Sequence, residues 1–127
     1  MMKTEFIPYE QALELKELGF NEYCLTSYLN GELQTSQSEM FWFQHNYRSH
    51  PAQEFISAPL YQQAFRWFRE KYKYNHSIVF TQHPFGTDEY QYMILLDDDE
   101  YVEINFKTYE EAELACLNKL IEIVKNK

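Results

Sequence analysis

The sequence predicts an α+β fold: one antiparallel meander sheet of about four to six strands carrying three amphipathic helices, in the order α-β-β-α-β-β-β-α. Three observations predict it. The tetrads Tyr9-Glu10-Gln11-Ala12, Tyr61-Gln62-Gln63-Ala64 and Tyr109-Glu110-Glu111-Ala112 each open a stretch of helical periodicity. Asn30-Gly31 lies between two short strand-like runs and is a strong hairpin signal. After the second helical stretch come three runs of strand character, joined by links too short for crossover helices.

The first helix is expected from about Pro8 to Leu18. Pro8 suits a first-turn position, Glu10 favours the positive end of the dipole, and Gly19 stops the helix. Tyr23 to Leu29 and Glu32 to Gln34 then flank Asn30-Gly31, two residues that tolerate the positive φ of a type I′ turn. Residues 35–57 mix Ser, Gln, Asn and His with the dense apolar run Met40-Phe41-Trp42-Phe43. They read as a short strand or an ordered loop, the place where a functional insertion would sit.

The second helix is expected from about Pro59 to Tyr72. On a helical wheel Leu60, Tyr61, Ala64, Phe65, Trp67, Phe68 and Tyr72 share one arc, with Arg66, Arg69 and Lys73 opposite. Strands are expected at Ser77 to Gln82, Tyr90 to Leu96 and Tyr101 to Phe106. In the last, Val102, Ile104 and Phe106 alternate with Tyr101, Glu103 and Asn105, so the first set is expected to be buried. The third helix opens on a capping box, Thr108 with Glu111, and Leu114, Leu117, Leu120, Ile121 and Val124 form its apolar stripe.

At 127 residues the chain fits a single domain, 1–127, and 45% apolar residues supply a core without disulfides. Cys24 and Cys116 are far apart and form no CxxC, so they read as small buried apolar residues in a reducing compartment. The first residues contain no secretory h-region, and the longest strongly apolar run, Met93 to Leu96, is far short of a membrane span. A cytoplasmic protein is expected. The net charge of -9 is uneven: residues 88–113 hold ten carboxylates against Lys107 alone, so this window carries all of it.

Tyr9 to Phe20 (YEQALELKELGF), Ala58 to Phe68 (APLYQQAFRWF) and Thr108 to Ala112 (TYEEA) resemble a family of small hypothetical proteins from Bacteroidetes bacteria and their phages. The resemblance covers about a third of the chain and falls on helix-core and cap residues. It carries no catalytic residue across to this chain. What it implies is an accessory protein of a phage or mobile element.

Few constellations carry chemistry. His45, His50, His76 and His83 lack the i, i+4 spacing of a zinc helix, and no cysteine neighbours them. A metal-dependent enzyme built from histidines and carboxylates therefore needs them gathered by the fold. The chain has no GxSxG and no Gly-rich phosphate loop, and only three glycines, which weighs against catalysis. Asp97-Asp98-Asp99-Glu100 lacks EF-hand spacing and reads as a solvated hairpin turn that deters edge pairing. The acidic window as a whole invites a DNA-mimic reading, an inhibitor of a basic protein. Arg66, Arg69, Lys71 and Lys73 interleave with rings that face the core, so direct nucleic-acid binding is not expected.

These readings favour a non-enzymatic protein-interaction or accessory protein with a protein partner, no cofactor and no membrane contact. The candidate interaction surface is Asp97, Asp98, Asp99, Glu100 and Glu103, together with Phe41, Trp42 and Phe43.

Overall fold

The structure is a computed structural model, and it describes residues 5–34, 47–50 and 53–127. Among these residues the elements are α1 (Tyr9–Glu17), β1 (Thr26–Leu29), β2 (Glu32–Leu33), β3 (Tyr47–His50), β4 (Gln53–Ala58), α2 (Tyr61–Tyr72), β5 (Asn75–Thr81), β6 (Glu89–Leu95), β7 (Glu100–Phe106) and α3 (Tyr109–Lys125). The fold is α+β with antiparallel sheets, and its helices and strands follow the expected order. The strand count differs. In place of one meander there are two sheets, in the order β2-β1-β4-β3 and β5-β6-β7. The added strands, β3 and β4, come from the 35–57 stretch expected to be a short strand or a loop, with β4 ending one residue beyond it at Ala58. By compactness the chain divides into residues 1–64 and 65–127, and α2 runs through the division.

In the first unit, α1 ends in a Schellman arrangement. Gly19 takes φ 103°, its N–H donates to Lys16 O at 3.0 Å, and the Phe20 N–H donates to Leu15 O at 2.9 Å. A side chain at Gly19 would meet the left-handed penalty, which is why glycine stops the helix there. The hairpin forms as expected: Asn30 and Gly31 have φ of 51° and 89°, and Leu29 pairs with Glu32. Helix α1 packs against β4. Phe6 bridges Leu60, and the Ile7 N–H donates to Pro59 O at 3.0 Å. The buried Tyr28 hydroxyl donates to Ile7 O at 2.6 Å, so its polar end is satisfied inside the core.

The expected apolar arc of α2 is realised. Tyr61, Ala64, Phe65, Trp67 and Phe68 are buried, while Arg66 and Arg69 are exposed. In the second unit α3 lies across β5, β6 and β7. Its capping box is complete: the Glu111 N–H donates to Thr108 Oγ1 at 3.1 Å, and the Thr108 N–H donates to Glu111 Oε1 at 3.2 Å. Ala112, Cys116, Leu117, Leu120 and Ile121 are its buried residues.

Candidate functional site

The face assignment of β7 corrects an expectation and defines the site. Side chains alternate along a strand, and cross-strand partners share a face. Ile94 pairs with His76 and Tyr101, and Tyr92 pairs with Ile78 and Glu103. Tyr92 and Ile94 are buried, and α3 covers this side: Lys119 Nζ sits 4.9 Å from the Tyr101 ring centroid, and Tyr109 meets Tyr90 edge-on at 6.0 Å. The alternate residues belong to the other face. Met93 pairs with Ser77 and Val102, Val79 with Gln91, and Leu95 with Glu100.

That other face is open. Val102 and Ile104, expected to be buried, are 47% and 48% exposed, and Val79 and Leu95 are exposed beside them. Val102 opposes Met93, on the side away from α3, and Ile104 follows it by alternation; a register shift then comes between the Tyr92↔Glu103 and Tyr90↔Phe106 pairs. Two residues of β7, Ile104 and Asn105, stand opposite Gln91 alone, and Asn105 takes φ 75°. This is a β-bulge, with asparagine supplying the left-handed residue. It returns Phe106 to the helix side, where its ring lies 5.9 Å from Tyr92. The alternation Val102, Ile104, Phe106 is therefore split between two faces.

Charge on this sheet is one-sided. Residues 75–106, covering all three strands and their turns, contain no Lys or Arg and seven carboxylates. By register Glu89 and Glu100 belong to the open face, at its opposite ends. Asp88 adjoins the first of them and Asp97-Asp98-Asp99 the second. The turn before Glu89 holds a fully exposed Phe85. There the His83 N–H donates to Asp88 Oδ1 at 3.3 Å, and His83 Nε2 lies 3.6 Å from Glu89 Oε1. The turn after β6 closes with the Leu96 N–H donating to Asp99 O at 2.9 Å.

The expected interaction residues part company in this geometry. Asp97, Asp98, Asp99 and Glu100 lie at one end of the open face, all exposed. Glu103 is on the helix side, where it accepts a hydrogen bond from the Tyr92 hydroxyl at 2.9 Å. Burial, and after it that bond to Glu103, push the Tyr92 phenol well above its ordinary range. Phe41, Trp42 and Phe43 lie outside the described residues. Val79, Leu95, Val102 and Ile104 were missed as surface residues, because an apolar alternation names a face without saying which face is covered.

The groups that could carry catalysis point elsewhere. His76 stacks on Phe65 at 3.8 Å, and burial, with Arg69 nearby, lowers its pKa to about 4, so it is neutral at physiological pH. Side chains of His45 and His50 are outside the described set. Cys24 and Cys116 are buried, and burial raises both thiols to about 12. Among the described residues no group of three or more His, Cys, Asp or Glu side chains converges as a metal site. Nor is any helix among them long and apolar enough to cross a membrane. Comparison with protein families, curated proteins and solved structures returned no match.

Proposed function

We propose that this chain is a non-enzymatic protein-interaction module whose recognition surface is the open face of the β5-β6-β7 sheet. The observation that carries this reading is the exposure of Val79, Leu95, Val102 and Ile104 together on one sheet face, opposite the face that α3 covers. Single exposed aliphatics are ordinary, whereas a contiguous exposed patch marks a surface that another molecule covers. The reading agrees with an accessory role of the kind the family resemblance implies.

The size of the apolar term sets its character. Each of the four side chains is 40% to 48% exposed. Covering one is worth on the order of 1 kcal/mol, and the four together roughly 4 kcal/mol. Even before the cost of association is subtracted that is no tighter than about millimolar binding, so the patch needs a second source of affinity. The DNA-mimic reading is less well supported. Its carboxylates serve different purposes: Glu111 caps α3, Glu103 holds Tyr92, and Asp97 to Asp99 make a turn.

The test compares the wild-type chain with Val102→Ser/Ile104→Ser as bait for proteins of its native cell. A protein retained by the wild type and lost from the double variant supports the reading, provided both baits have the same circular dichroism. Equal retention by the two baits contradicts it.

A further inference from the structure

We infer that the open face of the β5-β6-β7 sheet takes a basic amphipathic helix, a segment with an aliphatic stripe and Lys or Arg in both end turns. This rests on the proposal that the face is a recognition surface, and it names the chemistry of the partner. Val79, Leu95, Val102 and Ile104 form the apolar centre, and Glu89 and Glu100 stand at the two ends of the same face. No Lys or Arg in residues 75–106 balances them. Complementarity therefore requires an occupant that is apolar in the middle and cationic at both ends.

Shape supports the same occupant. A sheet face is covered by a helix or by another sheet. From Glu89 to Leu95 the strand runs seven residues, about 20 Å, which is the length of a helix of about 14 residues. A second copy of this chain fits poorly. Stacking two such faces in either direction lays one cation-free meander on another, and the end carboxylates meet only carboxylates, a costly juxtaposition.

The experiment titrates the full ¹⁵N-labelled chain with a synthetic helical peptide of about 14 residues, Leu and Ile forming its stripe and Lys its end turns. A control peptide has Glu in place of every Lys. The expected result is a set of amide shifts centred on Val79, Met93, Val102 and Ile104 with the basic peptide alone. Binding should weaken roughly fivefold between about 0.02 and 0.3 M salt, and Glu89→Gln/Glu100→Gln should remove most of that salt dependence. Equal binding of the acidic peptide, shifts confined to another surface, or no binding of the basic peptide overturns the inference. So does a dimer of the chain, seen by sedimentation velocity, that Val102→Ser/Ile104→Ser dissociates. If that variant loses a cellular partner while the basic peptide fails to bind, the recognition surface stands and only the partner's chemistry is wrong.

Discussion

At the scale of single residues, Asn105 decides on which face of β7 Phe106 lies. Its left-handed φ of 75° permits the bulge that sends Phe106 to the helix side, away from Val102 and Ile104. Asparagine tolerates that region better than most residues, and a β-branched side chain does not. Asn105→Val is therefore expected to cost about 1–2 kcal/mol, whereas Asn105→Gly should be neutral or slightly stabilising; urea denaturation of the two variants checks this. Titration of His76 and Glu113 makes a second residue-scale test. His76, with a folded pKa near 4, stays neutral where the unfolded chain takes up a proton, so its contribution is complete above about pH 6.5 and is lost as pH falls toward 4. Glu113 works the other way. Burial, with Glu110 adding to it, raises its pKa to about 7, so the folded state holds the proton more tightly and loses stability as pH rises from about 4.5 toward 7. Glu113→Gln should raise Tm at pH 8 and bring much less gain at pH 4.5, as thermal melts at the two values would show.

At the scale of elements, the helix ends were legible in the sequence and the sheet faces were not. Thr108 and Glu111 are three residues apart and the box they make is local, so no tertiary information is needed to foresee it. Thr108→Ala should cost about 1 kcal/mol, measurable by chemical denaturation. Asn30-Gly31 and Gly19 were legible for the same reason: backbone conformations that few residues accept name their own residues. Strands β3 and β4 were harder, because their pairing is with β1 and with each other and leaves only a weak local pattern. The buried side of β7 could not be read at all from alternation. Tyr101 and Phe106 are as apolar as Val102 and Ile104, and only the bulge and the position of α3 separate them. The tetrads gave the helix starts, yet their tyrosines are not equivalent: Ala12, Ala64 and Ala112 are all buried, while Tyr61 is buried and Tyr109 exposed.

At the scale of the whole molecule, the -9 net charge has a structural address. Residues 88–113, across the turns and strand ends of β6 and β7 and the first turns of α3, hold ten carboxylates against Lys107, and the rest of the chain balances to zero. The candidate site was half legible at this scale. Asp97 to Glu100 could be picked out as a dense anionic run, but the aliphatic surface beside them needed the register of three strands. The cysteines offer a check on compactness in both units at once. Cys24 lies in the first and Cys116 in the second, both buried with raised pKa values. Neither should react with iodoacetamide in the native protein, and both should react in denaturant, as mass spectrometry would record.

Recognition through the β5-β6-β7 sheet requires that one of its faces is core and the other is open. Urea denaturation of Ile94→Ala beside Val102→Ser/Ile104→Ser tests it most directly. Ile94 is fully buried on the helix side, and its truncation should cost about 2–5 kcal/mol. The double serine variant, on the open face, should lose no more than about 1 kcal/mol. A loss of several kcal/mol from the double variant would place Val102 and Ile104 in a core and contradict the account.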